Sequence, residues 1–160
     1  MNNIKIPTKE ECLSILERNK TPSNVISHCE AVCKVAEEIA DRLISKGINV
    51  DKKLVTAAAL LHDVERVKDD HIEEGAKLLK SLGYDEIAEV IRKHSLHKVE
   101  DPAKQPQTYE EKIVFYADKR CVGNKIVSLK ERFDDLKERY KVDLEKEFEF
   151  SKKVEEELNG

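Results

Sequence analysis

The sequence is poor in the residues that build turns and sheets. Among its 160 residues there is no Trp, and Gly and Pro occur only five and four times. Hydrophobic and charged residues each make up 39% of the chain, a balance that favours amphipathic helices over a sheet with many turns. We therefore expect an all-α protein. A chain of this length suits one domain, because it buries a working core but leaves little room for a second.

Long apolar runs, cysteine pairs and excess positive charge are also missing. No stretch approaches the roughly 20 apolar residues that cross a bilayer, and the first residues, MNNIKIPTKEE, lack the apolar core of a signal peptide. The four cysteines form no CxxC pair, so we expect them to be reduced and buried. The net charge of -4 provides no extended surface for nucleic acid. These absences predict a cytoplasmic protein that uses neither a membrane nor a nucleic-acid scaffold.

Helix starts are marked at several positions along the chain. In four places a capping side chain stands three residues before a Glu, as in a capping box; these are Thr8, Asp70, Thr108 and Ser128. Thr21 followed by Pro22 predicts another start, because Pro suits the first helical position, and that helix should stop at Gly47. Asp51 is expected to open a third helix, and Gly83 separates two more. The pattern predicts a helical chain with short connections.

The region from residue 95 to residue 107 is the exception, because Pro102 and Pro106 and several polar residues predict a long loop there. Such a loop would border a site. After a predicted helix over residues 108–121, two highly charged segments carry apolar residues at helical spacing, among them Tyr140. We expect these C-terminal helices, within residues 128–158, to serve packing or a homodimer contact rather than chemistry. The motif-bearing core would then span residues 22–121.

Histidine and aspartate residues on apolar helical faces are the candidates for chemistry. His28 lies within the second predicted helix, and His62 and Asp63 follow the apolar run LVTAAALL. Asp118 lies in KIVFYADKR, at the edge of another apolar face. Polar groups buried there need partners, because an unsatisfied one costs about 1 to 3 kcal/mol. Two His and two Asp form a mixed nitrogen and oxygen ligand set that suits Fe, Mn, Co, Ni, Zn or, less readily, Mg.

In order and spacing these residues, His28, His62-Asp63 in ALLHDVER and Asp118 in YADKR, resemble the motif of the HD-domain metal-dependent phosphohydrolases. The resemblance covers residues 22–121 and includes HIEEGAKLL and EVIRKHS. It implies a compact bundle of about six to eight helices, organised as a single HD-type domain over residues 1–160. It also implies a divalent metal ion held by the four residues.

His71 and His94 extend the set, since family members with two metals use histidines in these two places. His71 follows its predicted helix N-cap, where the helix dipole disfavours a positive charge, so we expect it to be neutral. The match is incomplete, because many such members have a second His where this chain has Ser95. His97 is more simply interpreted as a solvated loop residue. One or two ions per chain are therefore compatible with the sequence.

The resemblance implies hydrolysis of a phosphomonoester or phosphodiester of a nucleotide or another small phosphorylated metabolite. A bound divalent ion would polarise a phosphoryl oxygen and lower the pKa of water towards about 7. We interpret Asp63, His71 and His94 as catalytic residues that handle the water and the transition-state charge. Arg66 and Lys119 are the predicted ligands of the substrate phosphate. Weaker candidates for the site are Lys93, Arg120 and Glu65.

Two other functions remain open at this point. Some proteins with this helical arrangement and a six-residue His/Asp set hold two irons and use oxygen to cleave carbon bonds, and this chain has six candidates. Alternatively, an HD-type domain could bind a nucleotide as a non-catalytic sensor. A pure scaffold is disfavoured, since it has no need for buried His and Asp groups.

Overall fold

A computed structural model describes residues 5–66, 68, 70–94 and 101–159. Over these residues the chain forms eight α-helices: α1 Lys9–Arg18, α2 Ser23–Ser45, α3 Lys52–Leu61, α4 His71–Ser81, α5 Asp85–Arg92, α6 Tyr109–Asp118, α7 Leu129–Tyr140 and α8 Glu145–Asn159. A short 3-10 helix covers Pro102–Lys104. The expected all-α bundle of six to eight helices is thus confirmed. No described helix is both long and apolar enough to cross a bilayer.

Three of the four predicted capping boxes form, at Thr8, Thr108 and Ser128. In each, the side-chain oxygen accepts a hydrogen bond from the backbone N–H of the Glu three residues on, and that Glu accepts one from the cap backbone. At Asp70 the predicted helix start is confirmed, since α4 begins at His71, but the predicted capping box is wrong, because the Asp70 side chain makes no capping hydrogen bond. The three working caps have extended backbones with ψ between 162° and 170°, whereas Asp70 has ψ 58°. Its carboxylate is therefore not aimed at the first helical turn.

The long helix α2 begins one residue later than predicted. Pro22, not Thr21, is the N-cap, and the Thr21 hydroxyl donates instead to the carbonyl oxygen of Val64 at 3.1 Å. The predicted start of α3 and the predicted ends of α2 and α4 are confirmed. Asp51 caps α3 by accepting from the Leu54 N–H at 3.2 Å, and Gly47 and Gly83 adopt φ values of 87° and 88° after α2 and α4. Positive φ at these two positions is what a helix-ending glycine supplies.

Helix α3 lies at the centre of the packing. Every residue from Leu54 to Leu61 is buried, and the helix contacts α1, α2, α5 and α6. Three consecutive alanines, Ala57 to Ala59, leave room for these neighbours to approach closely. The four cysteines are free and buried, as expected. Because α3 is enclosed on all sides, the residues at its C-terminal end, His62 and Asp63, are delivered into the interior.

A short hairpin follows α6 where the sequence analysis expected helix up to residue 121. The helix ends at Asp118, and β1 (Cys121–Val122) pairs antiparallel with β2 (Lys125–Ile126), with Cys121 opposite Ile126. Gly123 at the turn has φ 58°, a conformation that glycine adopts without strain. The hairpin contacts α2. Its turn therefore comes near the N-terminal half of α2, where His28 lies.

The two C-terminal helices pack on the bundle through aromatic pairs. Phe150 of α8 meets Phe115 of α6 with ring centroids 5.5 Å apart, and Phe133 of α7 meets Phe148 of α8 at 5.2 Å. The packing role expected for this region is present. Tyr140 differs from that expectation, because it is 55% exposed at the end of α7. The expected division into a single domain with a core over residues 22–121 stays a prediction.

Candidate metal centre

Three helices bring the four candidate metal ligands together. His28 lies in the second turn of α2, His62 caps the C-terminus of α3 with Asp63 after it, and Asp118 ends α6. These helices pack against one another pairwise. One ligand atom from each of the four residues lies within 4.8 Å of all the others. The motif residues, up to 90 positions apart in the chain, thus form one cluster.

The imidazole rings are oriented by backbone carbonyls. His28 Nδ1 lies 2.7 Å from the carbonyl oxygen of Gly123, and His62 Nδ1 lies 2.7 Å from that of Ala59. A proton on each Nδ1 satisfies the carbonyl and directs Nε2 to the cluster, where both Nε2 atoms lie 3.1 to 3.2 Å from Asp118 Oδ1. A lone pair on Nε2 facing a carboxylate oxygen is repulsive unless a proton or a cation lies between them. The donor set therefore fits a cation.

The electrostatics of the cluster keep both of its carboxylates ionised. Burial opposes ionisation of Asp118, but Lys119 and the two histidines outweigh it and hold the pKa of Asp118 well below its usual range. Burial likewise opposes the ionised form of Asp63, yet His62 and His94 lower its pKa. Burial also opposes the charged form of His62, but Asp63 is the strongest of the groups that raise its pKa well above the ordinary value. Two buried carboxylates thus stay ionised at neutral pH.

A second group of candidate ligands shares Asp63 with the first. Asp63 Oδ2 lies 3.5 to 3.6 Å from Nε2 of His28 and His62, whereas its Oδ1 lies 3.8 Å from Nε2 of His71 and 3.6 Å from Nε2 of His94. One ligand atom from each of Asp63, His71 and His94 lies within 4.8 Å of the others. The two oxygens of one carboxylate therefore face two separate sets of histidines.

The neutral form expected for His71 is supported, although by a different cause. The pKa of His71 is lowered, and burial contributes most, with the charge of Arg66 adding to it and Asp63 opposing it. From the sequence, the helix dipole had been expected to keep His71 neutral. His94 is held through its Nδ1, which lies 2.5 Å from the carbonyl oxygen of Ile91.

Lys119, a predicted phosphate ligand, is buried and bound to the cluster itself. Its Nζ donates to Asp118 Oδ2 at 2.8 Å and to the carbonyl oxygen of His94 at 3.0 Å. Only 3% of the residue is exposed. The ammonium thus joins the first group of candidate ligands to the second, and contact with substrate stays a prediction.

The remaining sequence candidates are placed differently. Arg66 is exposed beside the cluster, with Nη1 at 3.3 Å from His71 Nε2. The other three have partners away from the cavity at the cluster. Lys93 pairs with Glu111 at 3.1 Å, Arg120 donates to Val127 and Tyr116, and Glu65 contacts Asn19 and Lys68. Ser95 and His97 lie outside the described residues.

A cavity of about 650 Å³ opens over the cluster, and α7 forms its opposite wall. The C-terminal region was expected to serve packing rather than chemistry, so these wall residues were missed: Arg132, Leu136, Arg139 and Tyr140. They recur at intervals of four, three and one residues, which places them on one face of a helix. That periodicity was visible in the sequence. What α7 faces depends on its docking across the bundle, which the local pattern does not specify.

Comparison with known proteins agrees with the motif. Residues 25–122, more than half of the chain, match the HD domain. A tRNA (cytidine(56)-2'-O)-methyltransferase of Picrophilus torridus is 36% identical over 143 residues, and one of Thermoplasma volcanium is 31% identical over 148. These alignments cover 81% and 84% of this chain but only 40% and 42% of the methyltransferases. The chain thus spans less than half the length of either enzyme.

A further relative matches along most of its own length. This uncharacterised protein of Methanocaldococcus jannaschii is 39% identical over 134 residues, which cover 75% of this chain and 79% of the relative. No solved structure matches the chain. The family match and the four-residue cluster lead to the same identification: the chain belongs to the HD domain family.

Proposed function

We propose that this protein is a metal-dependent phosphohydrolase that cleaves a phosphomonoester or phosphodiester of a nucleotide or another small phosphorylated metabolite. The observation that carries the proposal is the convergence of His28, His62, Asp63 and Asp118 within 4.8 Å at the base of a cavity. Membership of the HD domain family fits such a hydrolase.

These four residues would hold a divalent ion of Fe, Mn, Co, Ni, Zn or Mg. When bound, the ion supplies Lewis acidity towards a phosphoryl oxygen and acidity to water. A second ion would use His71, His94 and the other oxygen of Asp63. The carbonyl contacts of His28 and His62 direct both Nε2 atoms into the cluster.

The cavity residues divide into reacting groups and phosphate ligands. We assign the handling of the attacking water to Asp63, His71 and His94, which line the cavity around the shared carboxylate. Arg66 lies at the edge of the same cavity, where its guanidinium can neutralise a phosphate. The volume of about 650 Å³ is in the range of pockets that take a nucleotide-sized ligand.

The test is phosphate release by purified protein from a panel of phosphate esters with added Mn, Co, Ni or Mg. The panel contains mononucleotides, cyclic nucleotides and para-nitrophenyl phosphate. RNA with phosphorylated or cyclic-phosphate ends is included because two relatives are named as tRNA methyltransferases. Asp63→Ala should abolish release, whereas the control Asp134→Ala, at an exposed position on α7, should not. Release that is unchanged in Asp63→Ala, or no release from any ester with any metal, would refute the proposal.

A di-iron oxygenase is the second candidate, because the two oxygens of Asp63 face two separate histidine groups. A carboxylate in that position suits two ions that share it. The two candidates differ in what they consume. Two irons per chain with oxygen-dependent turnover would favour the oxygenase, and phosphate release under anaerobic conditions would exclude it as the explanation of activity.

A further inference from the structure

Arg132 is a charged cavity residue that the proposed reaction has not used. It lies in the first turns of α7 and lines the same cavity as His28, Asp63 and Asp118. A permanent positive charge thus lines the cavity.

Over the part of the chain that the structure describes, no carboxylate forms an ion pair with the guanidinium of Arg132. Its Nε is buried and, among the described residues, has no hydrogen-bond partner. The acidic residue three positions further along α7, Asp135, pairs with Arg139, at 2.7 Å from Nη2 and 3.0 Å from Nε. Arg132 Nε is enclosed by protein atoms, so a phosphoryl group in the cavity would meet the Nη donors of the guanidinium and neutralise its charge.

We propose that Arg132 binds a phosphoryl group of the substrate in this cavity. The inference rests on the proposed function for the identity of the anion. The planar guanidinium can donate two parallel hydrogen bonds to phosphoryl oxygens, which a lysine ammonium does not match. Lys119 is already bound to Asp118 and to the His94 carbonyl, and Arg66 is exposed at the edge. Among the cationic residues at the cavity, Arg132 is therefore the one best placed to pair with a bound phosphate.

The experiment measures binding of inorganic phosphate to the manganese-loaded protein by calorimetry, alongside KM and kcat for the best ester of the panel. Arg132→Gln should weaken phosphate binding about tenfold or more, the loss expected for a charge-assisted hydrogen bond. It should raise KM while the melting temperature stays within a degree or two or rises. Arg132→Lys should recover part of the binding, because lysine keeps the positive charge but lacks the planar pair of donors that the guanidinium provides.

Lys137→Gln is the matched control, since it removes one positive charge from an exposed position on the same helix. It should leave phosphate binding and KM unchanged. An equal effect of both variants, or no phosphate binding to wild type, would overturn the inference. The two proposals fail separately. If Asp63→Ala abolishes release but Arg132→Gln matches wild type, only the role of Arg132 is wrong; if no ester is cleaved yet phosphate binding depends on Arg132, only the hydrolase is wrong.

Discussion

Replacing Lys119 with Met, which keeps the chain length but removes the charge, examines how the candidate metal centre is held together. Lys119 and Asp118 are 3% and 6% exposed, and the ammonium is the donor for both Asp118 Oδ2 and the His94 carbonyl. Removing one partner of a buried ion pair costs about 3 to 5 kcal/mol, because the other charge is left uncompensated. Burial lowers the pKa of Lys119, so the ammonium itself is costly to bury. We therefore expect a loss at the lower end of that range, about 3 kcal/mol in the free energy of unfolding.

The assay is urea denaturation of metal-free protein at pH 7. The control is Lys130→Met on α7, whose ion pair with Asp134 joins side chains that are 80% and 57% exposed, and which should leave the free energy of unfolding nearly unchanged. Bound metal should reduce the loss in Lys119→Met, because a cation again faces Asp118. A loss below about 1 kcal/mol together with a raised KM would refute this reasoning and assign Lys119 to the substrate instead.

Further expectations concern the metal ligands, the cysteines and an acidic residue on α8. Elemental analysis should find that His94→Ala keeps the ion bound by the first group, whereas His28→Ala loses it; equal losses in both would contradict two separate groups. Burial raises the pKa of Cys12 and Cys33 to about 12, so a thiol reagent at pH 8 should react with none of the four cysteines until guanidinium is added. Burial opposes ionisation of Glu155, but its hydrogen-bond donors outweigh that effect and lower its pKa. Its carboxylate therefore stabilises the fold above the unfolded-state pKa of about 4.3, and this contribution is lost as the pH falls through the lower folded-state value. Glu155→Gln should thus destabilise the protein in urea at pH 7, with a difference that shrinks below about pH 4.3; a difference independent of pH would contradict this.

The helices could be predicted because their signals are local. A capping box is an interaction among four consecutive residues, so Thr8, Thr108 and Ser128 specify helix starts in any context. At Asp70 the helix start was predicted correctly but the capping box was not, because the backbone of Asp70 is not extended. The hairpin after Asp118 could not be predicted, because each of its strands is only two residues long. Strands this short contain no alternation of apolar and polar residues that could be recognised in the sequence.

The candidate metal ligands could be found because ionisable groups inside apolar runs stand out. His62 and Asp63, at the end of a helix that is buried from Leu54 onward, are the clearest case. The orientation of the Lys119 side chain could not be predicted in that way, because it depends on how α6 packs against α5 and the His94 carbonyl. Arg132 depends in the same way on the docking of α7. The local sequence pattern thus identified which ionisable side chains would be buried. Tertiary packing decided which groups surround them.

The most direct test of the central claim is a titration of metal-free protein with Mn²⁺, in which bound metal and phosphate release are followed in the same sample. The ester is the best substrate of the panel. We predict no release without metal, release that rises in proportion to the metal bound at the His28, His62, Asp63 and Asp118 group, and loss of both in Asp63→Ala. Metal that binds without any phosphate release, or release that is equally fast in the metal-free protein, would contradict the account.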